Sequence, residues 1–241
     1  MTSAPTWALS LWTSAQLAGP TGLVVAFEPV PRTYVELCKR IRRSGSQAAP
    51  IVPLPFGLAD SDAGLTMSVP RGDPGLASVV SHEAWNCAYA EMDLELVPCS
   101  FVPLASAVDR YQLPVPSFVK VDVKGAELAV LLGARELVRV HRPLMFIEIF
   151  APWERSFGYT PWEVLSLLKE WGYSFLFACP DGLVSHDASV VSPTPPQYVN
   201  GYNTVAFVQT KHASRIAALH PSFPGGSRPV GPMVPAPLLN L

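Results

Sequence analysis

No run in the 241 residues approaches the roughly 18–20 consecutive apolar positions that a membrane-spanning helix needs. The first twenty residues carry a short apolar patch without a basic flank, so a secretory leader is not expected. Charge is sparse and nearly balanced, 17 Lys and Arg against 19 Asp and Glu, net −2. That balance gives no electrostatic case for nucleic acid or for acidic lipid as a partner. The four cysteines, Cys38, Cys87, Cys99 and Cys179, form no C-x-x-C pair and have no histidine at zinc spacing. Reduced, mostly buried thiols are therefore expected, and no structural metal. No glycine precedes Gly19. A cytoplasmic location and no membrane span are the expectations carried forward.

Hydrophobic residues make up 49% of the chain, enough to bury a sizeable core. Six of the 26 prolines lie at or beyond Pro221. The organisation expected is one domain over residues 1–210, followed by a flexible, proline-rich tail over 211–241.

Along the chain, Trp7–Leu17 reads as a helix stopped by the turn 18–22. "LVVAFE" (23–28) is a continuous apolar run, the pattern of a strand buried on both faces. A helix follows, with Pro31 in its first turn, Tyr34, Leu37, Cys38 and Ile41 on one face, and Gly45 as cap. Arg40, Arg42 and Arg43 in its last turn complement the helix dipole. Residues 50–64 read as a strand and a turn; shorter strands and a short helix occupy 65–111.

"VKVDVKGAEL" (119–128) alternates valine with charge until Gly125, which is a strand signal, and a helix is expected over 126–140. "PLMFIEIF" (143–150) reads as another fully buried strand. A helix then opens at Thr160 and Pro161 and stops at Gly172; two more strands follow, "SFLFAC" and "YNTVAFVQ". Strands alternating with helices imply βαβ units and a mostly parallel sheet. In such sheets ligands sit at the C-terminal ends of the strands. Glu28, Asp122 and Glu148 stand at or near three such ends, and together they mark a site.

Three stretches, "GPTGLVVAFEPVPRTYVEL", "FVKVDVKGAELAVLLGARELV" and "RPLMFIEIF" with "GYTPWEVLSLLKEWGY" and "YNTVAFV" after it, resemble the FkbM family of S-adenosylmethionine-dependent methyltransferases. The ordered match covers about Ala15 to Gln209. The resemblance implies a Rossmann-like class I methyltransferase fold, α/β, with a mostly parallel sheet and helices on both faces. It also implies S-adenosylmethionine as cofactor and O-methylation of a hydroxyl on a small molecule or glycan. By position, Glu28 matches the acid that binds the cofactor ribose, and Asp60 matches the turn near the adenine. Asp122, with Lys120 on its face and Glu148 on the neighbouring strand, matches the methyl-transfer side.

The chain departs from the family pattern twice. The family opens on a strand and a glycine turn about 20 residues before the ribose acid; here that count reaches Ala8 with no glycine, so the first strand is expected to be missing. Lys124 stands where the pattern has glutamate, beside Asp122; a cation there lowers the aspartate's pKa and discourages a divalent metal. A catalytically inactive methyltransferase-like binding or scaffold protein is the alternative these departures leave open.

Overall fold

A computed structural model of the chain describes residues 6–44, 49–80, 93–179, 182–185 and 202–219. Two compact units emerge. The first holds residues 1–113 with 129–134, the second 114–128 with 135–241.

The first unit begins with helix α1 (Thr6–Ala18), ended by Gly19 at φ 68°, whose N–H bonds back to Ala15 and Gln16. Strand β1 (Val24–Phe27), helix α2 (Pro31–Arg43) and strand β2 (Ile51–Leu54) form a βαβ unit, pairing in parallel from Val24↔Ile51 to Phe27↔Leu54. Helix α2 buries Thr33 and Leu37, and Pro31 occupies its first turn as expected. The helix hands over to Ser44; Gly45, expected as its cap, lies outside the described residues. Every residue of β1 is half-buried, not buried on both faces. Its hydrogen-bonded neighbour among the described residues is β2 alone.

Strands β3 (Gly57–Leu58), β4 (Ala63–Pro70) and β5 (Leu94–Val102) make a second sheet in the order β3-β5-β4, with helix α3 (Leu104–Arg110) after it. Val30, Ala59, Met67, Val69, Cys99 and Phe101 pack into one apolar cluster, and Leu54, Phe56, Val102 and Ala107 into another. Cys38 and Cys99 are free thiols, half-buried and buried.

The second unit is built on a five-stranded sheet in the order β6-β7-β10-β8-β9. Its strands are β6 (Phe118–Val121), β7 (Leu144–Ile149), β8 (Ser174–Cys179), β9 (Gly182–Ser185) and β10 (Tyr202–Phe207). Only β6 and β7 run parallel; β7-β10, β10-β8 and β8-β9 are antiparallel. The α/β class stands, but the sheets are mixed rather than mostly parallel. Two residues separate β8 from β9, room for a hairpin and far short of the dozen or more that a parallel crossover needs. In β7, Met145, Ile147 and Ile149 are fully buried while Leu144, Phe146 and Glu148 are half-buried, so burial alternates instead of covering both faces.

The helix expected over 126–140 is two, α4 (Glu127–Gly133) and α5 (Arg135–His141). At the break, a Cβ on Gly133 would lie 1.9 Å from the Ala59 carbonyl oxygen, so this close backbone approach requires glycine. Helices α6 (Ala151–Ser156) and α7 (Pro161–Glu170) follow β7. Thr160 and Pro161 open α7, and Glu163 accepts the Thr160 N–H at 3.1 Å as well as its hydroxyl, in the manner of a capping box. Gly172, at φ 82°, ends that helix as expected.

Helix α8 (Gln209–Leu219) occupies the first nine residues of the expected tail. It docks because Ile216 buries completely against Leu176, Val205 and Phe207, and because His212 Nδ1 accepts the Val208 N–H at 2.9 Å. Residues beyond Leu219 lie outside the described residues, as does Cys87. No described helix is long and apolar enough to cross a membrane.

Candidate functional site

In the second unit the chain leaves β6 through two successive left-handed residues, Lys124 at φ 52° and Gly125 at φ 99°. A Cβ on Gly125 would lie 2.7 Å from both the Trp153 carbonyl oxygen and the Phe157 ring, so glycine is required by space as well as by dihedral. Buried Glu127, in the first turn of α4, accepts the N–H groups of Gly125 at 3.2 Å and Val123 at 3.3 Å. The Tyr159 hydroxyl donates to the Gly125 carbonyl at 2.6 Å and receives the Leu128 N–H at 3.3 Å. This small scaffold fixes the turn, and the turn fixes where Lys124 points.

Lys124 Nζ donates to Asp122 Oδ1 at 2.7 Å and to Glu148 Oε2 at 2.6 Å, while Lys120 Nζ donates to Asp122 Oδ2 at 2.6 Å. The fold thus brings together Lys120, Asp122 and Glu148, the three residues expected on the methyl-transfer side, and adds Lys124 as the bridge. Burial alone would raise the Asp122 pKa; the ammoniums of Lys124 and Lys120 and a hydrogen bond with Glu148 outweigh it and hold the carboxyl well below the usual range. Glu148 goes the other way: burial raises it, helped by the Asp122 charge and opposed by Lys124. Lys124 is held protonated: burial works against its charge, but the two carboxylates prevail. The depression of Asp122 by Lys124 agrees with expectation, whereas the bridge to Glu148 was not legible. Twenty-four residues separate the two, and only the β6–β7 register closes that gap.

Glu28 and Asp60 belong to the first unit. Glu28 follows β1 and turns back on its own chain, with Oε1 accepting the Val30 N–H at 2.8 Å at the start of α2. Burial pushes its pKa up to about 7, against that N–H, which lowers it. Asp60 is exposed and accepts the Ser61 hydroxyl at 3.1 Å.

A third group of acids was missed by sequence reasoning. Glu154, on α6, is fully buried, and neither carboxyl oxygen has a hydrogen-bond partner among the described residues. Burial, with the charges of Glu127 and Glu163, pushes its pKa up to about 9. Glu127 is likewise raised by burial, partly offset by the N–H groups it accepts. The spacing of "PWERS" offered no signal, since a glutamate on a short helix ordinarily faces water. No group of three or more potential ligand side chains suited to a metal occurs among the described residues.

The chain is similar to the hexuronic acid methyltransferase AglP of Haloferax volcanii, 27% identical over 161 residues. The match covers 67% of this chain and 59% of AglP, so the chain spans less than two thirds of that relative's length. A crystal structure of methyltransferase FkbM from Methylobacillus flagellatus KT aligns over 76% of this chain and 36% of its own, with 19% identity and a TM-score of 0.41. The family model described as the methyltransferase FkbM domain matches residues 7–175, most of the chain and both parallel strand pairs whose ends carry the acids. On that match, the chain belongs to the FkbM methyltransferase domain family.

Proposed function

We propose that this chain is an S-adenosylmethionine-dependent methyltransferase acting on a hydroxyl oxygen of a small molecule or glycan, with a uronic-acid-containing acceptor as the first candidate. The observation that carries the reading is the pair of carboxylates, Asp122 and Glu148, held at the ends of adjacent parallel strands in a chain of this family. The acceptor class follows AglP, whose name specifies a hexuronic acid. In this reading residues 1–210 form the methyltransferase domain, Rossmann-like in class.

The first unit's residues fit the cofactor. Glu28 engages Val30 through Oε1, which leaves Oε2 for the vicinal hydroxyls of a ribose, as carboxylates do in dinucleotide folds. Asp60, on its exposed turn, stands for the adenine side. The cofactor's sulfonium methyl is the electrophile.

In the second unit, the chain's own work is to orient a hydroxyl and accept its proton. Asp122, kept ionised, orients the hydroxyl as a hydrogen-bond acceptor but is too weak a base to deprotonate it. Glu148, raised by burial, is the better proton acceptor. Lys120 steadies Asp122 and can meet an acceptor carboxylate.

Calorimetry of the full chain with S-adenosylmethionine and S-adenosylhomocysteine tests the reading. Saturable binding that Glu28→Gln weakens by about tenfold (roughly 1.4 kcal/mol) is expected. No binding of either compound would overturn it. The alternative, a non-catalytic binding or scaffold protein, draws support from the engagement of both carboxylates by Lys124. It predicts cooperative unfolding with a midpoint that neither compound moves.

A further inference from the structure

Lys124 is an odd residue for its place. Non-glycine residues with positive φ are uncommon, and Asn, Asp and His are the types enriched among them. Strain of this kind persists where the surroundings over-determine it. Here they do, through Gly125, Glu127 and Tyr159, and the result is an ammonium set between two carboxylates that come from different strands. The Lys124 side chain is 17% exposed, so it is not a lysine swinging in solvent.

The geometry has a specific consequence. Nζ lies 2.7 Å from Asp122 Oδ1 and 2.6 Å from Glu148 Oε2. A calcium-sized ion bridging two carboxylates takes oxygen distances of about 2.3–2.6 Å, so it would occupy nearly the same point. The second ammonium, Lys120, closes the charge balance at two positive against two negative. A divalent cation entering this cluster would meet repulsion from both lysines and would have to displace one of them.

We infer that Lys124 is a built-in counter-cation: it takes the place of a divalent metal between Asp122 and Glu148, holds both carboxylates in position, and makes this site one that excludes divalent cations. Lys124 is thus a positioning residue. The inference refines the methyltransferase reading by assigning its acceptor side a metal-free charge balance, yet it rests on the geometry of these four side chains and is read without any methyl transfer.

The test is Mn2+ binding to the full chain, followed by electron paramagnetic resonance of free Mn2+ and by thermal unfolding with and without the ion. Wild type is expected to show no saturable binding and no shift of its unfolding midpoint. Lys124→Glu, which presents a third carboxylate, is expected to bind Mn2+ at least about tenfold more tightly than wild type. Lys124→Gly suits the left-handed backbone and guards against a folding failure of the first variant; Mn2+ is expected to raise its unfolding midpoint. Adding Glu148→Gln to either variant should abolish the gain. Wild type binding Mn2+ as tightly as the variants, or no binding by either variant, would overturn the inference. Cofactor calorimetry is a separate measurement, so either proposal can fail while the other stands.

Discussion

Two parallel strand pairs, one in each unit, end in acids of the same type with opposite electrostatics. Glu28, after β1, has no ion-pair partner among the described residues; burial costs its charged form, and its pKa rises to about 7. Asp122, after β6, sits between two ammoniums that overcome the same cost and drive its pKa far down. Position at a strand end therefore does not assign a carboxylate its chemistry; the charges the fold places beside it do. The supports differ too. Glu28 meets a backbone N–H two residues along, whereas the Asp122 cluster depends on a turn fixed from α4, α6 and Tyr159.

Breaking the more elaborate support should have the largest effect. Gly125→Ala sets a Cβ against the Trp153 carbonyl and the Phe157 ring at a left-handed dihedral, and is expected to cost about 2–4 kcal/mol. Urea denaturation checks the loss, and carboxyl NMR should show the Asp122 pKa moving back toward the usual range.

Glu154 comes next. A carboxyl raised to about 9 in the folded state keeps a proton that the unfolded chain, near 4.5, gives up. Wild-type stability should therefore fall as pH rises from about 4.5 to 9. Glu154→Gln removes that slope and is expected to stabilise by roughly 1–3 kcal/mol at pH 9, with little effect at pH 4. Unfolding midpoints across that range provide the measurement.

The smallest effects sharpen the comparison directly. Glu28→Gln should remove a decline in stability between about pH 4.5 and 7, worth on the order of 1 kcal/mol once solvent screening is allowed for. Asp122→Asn should act in the opposite window. A depressed carboxylate contributes stability above its unfolded pKa, near 3.8, and loses it as pH falls below that value, so the variant flattens the acid limb alone. If both variants altered the same limb, the electrostatic contrast between the two strand ends would be wrong.

Much of the fold could be read locally. Helix α2 begins at Pro31, and α7 is bounded by Thr160, Pro161 and Gly172; each signal acts within a turn or two of chain. The strand ends carrying Glu28, Asp122 and Glu148 were legible for the same reason. Strand direction was not, because β10 joins β7 and β8 through pairing partners far away in sequence. Nor was the break at Gly133, where the determining atom is the carbonyl of Ala59, more than seventy residues earlier. Docking of α8 was hidden too, since Ile216 gains its environment only from Leu176, Val205 and Phe207.

By itself the sequence determined the α/β class, the helix boundaries with local caps, the family pattern and the candidate acids, since each depends on neighbours along the chain. The tertiary structure decided how those acids are charged. Lys124 passed for a substitution in a motif until the β6–β7 register carried Glu148 to it. Burial and ion pairing are properties of what surrounds a side chain in space, and no spacing in the sequence encodes them.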